Sequence, residues 1–155
     1  MAKQDNAGIF QTQRRLVILT DKSGLAARLQ DQLSHCRVGS VASINELLQS
    51  CQEQFGCCGV VDLAKLKAAS SLHSALIKIH QFATSGRSAC LIAITDSEND
   101  RESTGRLFQA GFQGITRPDP ARIAILATRY WDSVDWPPQN VTESVISNLP
   151  WSAIE

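Results

Sequence analysis

The stretch "CCGVVDLAKL", Cys57 to Leu66, decides how the chain is read. Small and apolar residues run without alternation into one carboxylate, Asp62, and then into polar sequence. A run of this kind marks a strand buried on both faces of a parallel sheet, because a sheet with one wet face would alternate apolar and polar positions. Asp62 then stands at the strand's carboxyl end, where ligands and chemistry gather in open α/β sheets. "LAKLKAAS" reads as the loop that follows. The adjacent Cys57 and Cys58 should point to opposite faces as buried thiols.

Outward from that strand the chain repeats one plan. "RLVILT" (Arg15 to Thr20) reads as the first strand, followed by a helix with Leu25, Leu29 and Leu33 on one face. "RVGSVA" is a weaker second strand. "SINE" (Ser43 to Glu46) has the form of a capping box and opens a helix marked by Ile44, Leu47, Leu48 and Cys51. After "CCGVVD", Leu72, Ala75, Leu76 and Ile79 give the apolar stripe of a third helix, which "TSGR" ends. "SACLIAIT" (Ser88 to Thr95) is the fourth strand, and "DSENDRESTGRLFQAG" a polar loop entering a short helix that Gly111 stops. "FQGIT" is the fifth strand. Asp119 caps a last helix with Pro120 at its first position and Ile123, Leu126, Ala127 and Tyr130 on its buried side. Strands alternating with helices require a parallel sheet covered on both faces by right-handed crossovers, a doubly wound α/β domain.

Composition excludes several function classes. The 155 residues suffice for one domain with a core, and 15 basic against 15 acidic residues leave no net charge. With 43% hydrophobic and 19% charged residues the composition is that of an ordinary globular protein. No basic patch larger than Arg14-Arg15 favours nucleic acid or an anionic membrane surface. No apolar run approaches the ~18 residues of a membrane span, and "MAKQDNAGIFQTQ" has no signal-peptide core, so the cytoplasm is expected. The five cysteines lack C-x-x-C spacing, which argues against a zinc site and a disulfide framework. There is no Gly-rich phosphate loop, no G-x-S-x-G and no H-E-x-x-H, and His35, His73 and His80 are scattered. Asp96, Glu98, Asp100 and Glu102 form an acidic run that solvates a loop and suits a helix N-terminus. An enzyme active site is not visible.

The carboxyl rim collects Thr20 and Asp21 from the first strand, Asp62 from the third, Thr95 from the fourth and Arg117-Pro118 from the fifth. That set resembles the receiver (CheY-like) domain of two-component response regulators, in a divergent form, over about residues 14–133. The resemblance implies a flavodoxin-like (βα)5 domain with a five-stranded sheet in the order 2-1-3-4-5. It implies Asp62 as phospho-acceptor, Thr95 as switch hydroxyl and Arg117 in place of the family's lysine. It also implies Asp21 with Asp62 as ligands of a weak Mg²⁺ site, in which Thr20 replaces the usual first acid and Lys22 adds a positive charge. The Met-Pro that follows the acceptor in the family is missing from "DLAKL", and Gly114 stands where an aromatic residue is usual. Simpler readings stay open: Asp62 as a strand-ending acceptor of backbone N–H groups, Asp21 as a helix cap, Thr95 as turn chemistry.

The expected organisation is a flexible segment over 1–13, the receiver-like domain over 14–133 and a C-terminal extension over 134–155. Trp131, Trp136 and Trp151 cluster toward the end of the chain, and a short helix with Asn140 and Glu143 as cap follows Pro137-Pro138. The tail either folds back on its own domain or crosses to a second copy, since tryptophans are favoured interface anchors. The expected function is a pseudo-receiver signalling by contact with a protein partner, a signalling protein or a histidine kinase, with weak or no Asp62 phosphorylation and no required cofactor. The alternative is a working receiver phosphorylated on Asp62 in a phosphorelay. A small-molecule binder at the same rim is a more distant third.

Overall fold

The computed structural model describes residues 13–85, 89–96 and 101–136, and the statements below concern those residues. Five strands, β1 (Arg15–Leu19), β2 (Arg37–Ser40), β3 (Cys58–Asp62), β4 (Cys90–Ile94) and β5 (Gly114–Thr116), form one parallel sheet in the order β2-β1-β3-β4-β5. The doubly wound sheet expected from the alternating runs is therefore present. Register is continuous across the centre: Leu19 pairs with Val61, Asp62 with Ile94, and Ile94 with Thr116. Among the described residues no helix is long and apolar enough to cross a membrane.

Six helices cover the two faces: α1 (Leu25–Gln32), α2 (Ile44–Glu53), α3 (Leu63–Ala68), α4 (Leu72–Ala83), α5 (Arg101–Ala110) and α6 (Pro120–Ser133). Odd and even strand positions feed different layers. Val17, Leu19, Cys57 and Val61 pack under α2, α3 and α4 with Leu47, Leu66 and Ile79. Leu16, Ile18, Cys58 and Val60 pack against α1 and α6 with Leu25, Leu29 and Ile123. Burial on both sides is the reason the central strands do not alternate in sequence.

Thiols sit in both layers, as the opposed cysteines predict. Cys51 and Cys57 are hydrogen-bonded on one face, and Cys58 and Cys90, partners across β3 and β4, on the other. Hydrogen bonding from its partner, then burial, pushes the Cys51 and Cys58 thiols up, while the Cys51 contact draws Cys57 down. All five cysteines are free and buried.

Helix ends follow the sequence signals with one shift. Ser43 Oγ accepts from the Glu46 N–H at 3.2 Å, but the Glu46 carboxylate accepts from Ala42 N–H at 3.1 Å, closing the box one residue earlier than the pattern predicts. Asp119 Oδ1 accepts from Ala121 N–H at 3.1 Å with Pro120 behind it. Gly111, at φ 122°, terminates α5 in a conformation that side chains rarely adopt.

Two expectations are corrected. "LAKLKAAS" is not a loop: Leu63–Ala68 is helical, because Asp62 caps it and Leu63 and Leu66, three apart, both bury. Six residues are too few for an apolar period to stand out. Trp131, grouped with the tail from sequence, belongs to the core of α6. It is fully buried, donates from Nε1 to Gly56 O at 2.6 Å and lies 5.4 Å beneath the Arg14 guanidinium. Trp136 packs on its own domain, edge-to-face with Phe55 at 4.9 Å, and its carbonyl accepts from Arg14 Nε at 2.8 Å. The flexible segment expected over 1–13, apart from Gln13, lies outside the described residues, as do the short helix of the tail, Trp151 and the acids Glu98 and Asp100.

Candidate functional site

Parallel pairing places the ends of β1, β3, β4 and β5 along one rim, and each end delivers the residue predicted for it. Thr20 follows Leu19 and so stands beside Asp62; Thr95 and Arg117 follow Ile94 and Thr116, which are themselves paired. The Thr95 N–H donates to Thr116 O at 2.9 Å, continuing the sheet past its last ladder position. Thr95 is buried and Arg117 exposed.

Asp62 is 2% exposed, and both of its carboxylate oxygens are engaged by the chain itself. Oδ1 accepts from Ala64 N–H at 3.0 Å, which starts α3. Oδ2 accepts from Thr20 Oγ1 at 2.7 Å and lies 3.9 Å from the Lys22 ammonium. The Thr20 hydroxyl accepts in turn from Lys22 N–H at 3.1 Å. A buried carboxylate is costly unless its lone pairs are satisfied and its charge is balanced, and here the chain does both.

Asp21 takes a different place from the two readings made of it. The helix after β1 begins at Leu25 with Gly24 as its N-cap and no side-chain cap bond, so Asp21 does not cap it. Its side chain is 72% exposed and ion-paired with Lys65 Nζ at 2.6 Å. Lys65 comes from α3, the helix that sequence reading took for loop. Asp96, read from sequence as part of an acidic run that solvates a loop, instead engages the rim: its Oδ2 accepts from Lys22 Nζ at 2.8 Å. That hydrogen bond, opposed by burial and joined by the attraction of Asp62 and Asp96, raises the Lys22 pKa above its ordinary 10.5.

The donor set does not suit Mg²⁺ as the resemblance implies. Mg²⁺ demands near-octahedral oxygen ligands and is bound through carboxylates and water. Thr20 supplies a hydroxyl directed at Asp62, the Asp21 carboxylate is paired with Lys65, and an ammonium stands beside Asp62 Oδ2. Among the described residues no group of three or more His, Cys, Asp or Glu side chains is arranged to hold a metal ion.

Solved structures share this architecture. A CheY-like protein (TadZ) from Pseudomonas aeruginosa is 22% identical, with 76% of this chain and 92% of that chain covered and a TM-score of 0.55. The DrrB receiver domain in its BeF3-activated form is 16% identical, with 76% and 97% covered and a TM-score of 0.57. A pilus assembly-related protein from Burkholderia pseudomallei is 15% identical, with 77% and 90% covered and a TM-score of 0.58. The fold is that of CheY-like receiver domains. No protein-family profile and no curated protein matches the chain.

Proposed function

We propose that the chain is a pseudo-receiver: a receiver-like module of two-component signalling that acts by binding a protein partner, with Asp62 phosphorylated weakly or not at all. One observation carries the reading, the internal satisfaction of Asp62 by Thr20, Ala64 and Lys22. A phospho-acceptor must present an oxygen lone pair to the incoming phosphorus with a cation poised to meet the developing charge. Here the lone pairs meet hydrogens of the same chain, and the nearby cation neutralises the resting carboxylate. In this reading the module turns over no substrate, needs no cofactor and works in the cytoplasm. Its partner is a signalling protein or a histidine kinase. The proposed homodimer through the tail involves residues beyond Trp136, outside those described.

A second reading, a receiver phosphorylated on Asp62 within a phosphorelay, draws support from one feature. Asp62 and Ile94 are paired, so Thr95 leaves the rim one residue past Asp62's neighbour, and Arg117 one residue past Thr116. A hydroxyl on the neighbouring strand and a guanidinium on the strand beyond it are the groups that would respectively sense and neutralise a phosphoryl group. The two readings separate on intact mass after incubation with acetyl phosphate and Mg²⁺. An unmodified chain is expected. A phosphoryl adduct that disappears in Asp62→Asn would establish the relay and overturn the pseudo-receiver.

A further inference from the structure

The strand β2 forms one edge of the sheet, with β1 on its inner side. Its backbone groups alternate in direction. Arg37 N–H donates to Arg14 O at 2.8 Å and Val41 N–H to Ile18 O at 3.0 Å, so the odd positions bond inward to β1. Val38 and Ser40, lying between them, turn their N–H and C=O groups outward. There the edge meets Gln30 of α1, which accepts from Val38 N–H at 3.1 Å and donates from Nε2 to Cys36 O at 2.7 Å and to Leu33 O at 3.0 Å. One residue of a strand running parallel beside β2 would bond in the same way, accepting from Val38 N–H and donating to Cys36 O. The Gln30 amide thus takes the place of one residue of a sixth strand.

An open strand edge is a template for pairing with another chain, and a second copy presents the same edge. Antiparallel pairing of two β2 strands about a two-fold axis at Gly39 would set Val38 opposite Ser40 of the second copy, and Ser40 opposite its Val38. Each such pair exchanges both of its N–H···O bonds. Gly39 would face its own counterpart at the close, non-hydrogen-bonded position, where Cα atoms stand about 4.5 Å apart. A Cβ built at Gly39 meets nothing within 4 Å, and neither glycine carries one, so the two backbones have room to approach. Arg37 would face Val41 of the second copy, so no like charges stand opposite each other.

We infer that the outer edge of β2 is a pairing surface for a second copy of this chain, and that Gln30 holds it shut. Val38 N–H belongs to both arrangements and cannot serve the Gln30 amide and Ser40 C=O of the second copy together. Opening the edge also parts Gln30 from Cys36 and Leu33, which keeps the resting chain closed. The surface is separate from the carboxyl rim, because β1 lies between β2 and the strand that ends in Asp62. It therefore stands whether or not Asp62 is phosphorylated, and it involves no residue of the tail.

Sedimentation equilibrium of the full-length chain tests this, with each variant compared with wild type so that association through the tail cancels. Gln30→Leu removes the amide at similar bulk and is expected to self-associate about tenfold or more tighter than wild type, because Val38 N–H is freed on both copies. Hydrogen exchange should show the Val38 and Ser40 amides of Gln30→Leu gaining protection as its concentration rises. Adding Ser40→Pro removes an outward donor and no bond to β1, as an edge strand tolerates, and should return association to the wild-type level. A Gln30→Leu chain that associates no more tightly than wild type overturns the inference. So does a gain that survives Ser40→Pro, or one that leaves the Val38 and Ser40 amides unprotected. Thermal melts establish that each variant is folded, and Gln30→Met takes the place of Gln30→Leu if the latter is not.

Discussion

Thr20→Val isolates the bond on which the reading of Asp62 depends. Valine keeps the size and branching of threonine, so the change removes a hydroxyl without opening a cavity. Asp62 Oδ2 then loses its donor at 2.7 Å and retains only the ammonium at 3.9 Å, while the carboxylate remains 2% exposed. A hydrogen bond to a charged group contributes about 1.5–3 kcal/mol, and leaving a buried acceptor short of a partner sits in the same range. Lys22 N–H also loses Thr20 Oγ1, a part-buried contact whose loss acts in the same direction. A loss of about 2 kcal/mol is therefore expected, which for a chain of this size lowers Tm by about 4–8 °C. Differential scanning calorimetry at neutral pH measures it. A cycle with Asp62→Asn assigns the loss to the pair: without the charge, Thr20→Val should cost about 1 kcal/mol less. A Tm unchanged by Thr20→Val, or strict additivity in the cycle, would mean that the hydroxyl does not hold the carboxylate, and the argument from internal satisfaction would fall.

Gly56→Ala should destabilise by about 1–3 kcal/mol, because φ is +76° and a Cβ there would run into the Trp136 indole. Urea unfolding followed by tryptophan fluorescence reads the loss, and an unaffected midpoint would dispute the docking of Trp136. The Lys22 pKa lies above 10.5, so the contribution of its ammonium is complete below that pH and lost as the pH rises through the folded-state value. Wild type should therefore lose more stability than Lys22→Met between neutral pH and strongly alkaline buffer; parallel losses would deny the Lys22–Asp96 contact its role. All five thiols are buried, so none should react rapidly with a disulfide reagent in the native state and all five should in denaturant. A fast native thiol would identify a cysteine placed wrongly in either layer.

The sheet was legible because its central strands are unbroken apolar runs, and runs of that kind separated by helical periods admit few topologies. Thr20, Asp62 and Thr95 were legible as rim residues for the same reason: a strand end is a local signal. What escaped detection is long-range pairing. Nothing in "TDK" says that Lys22 reaches an acid 74 positions away, nor does "LAKLK" say that Lys65 draws Asp21 outward. Both depend on loop geometry after the strands, which carries no period. The helix α3 was hidden by its length, and its cap, Asp62, was being read for chemistry instead. Trp131 misled by its neighbours, since a tryptophan close to Trp136 and Pro137 invites reading as tail although its spacing from Ala127 places it on the buried side of α6.

The bond from Arg14 Nε to Trp136 O has an architectural corollary. It joins the segment entering β1 to the segment leaving α6 at 2.8 Å, with Asp132 and the Trp131 ring completing the clasp around one guanidinium. The entry to β1 and the exit from α6 are thus held side by side, the arrangement by which a domain can be spliced into a host loop without being stretched. Both connections open on the pole away from Asp62, five residues along β3, or roughly 17 Å at 3.3 Å per residue.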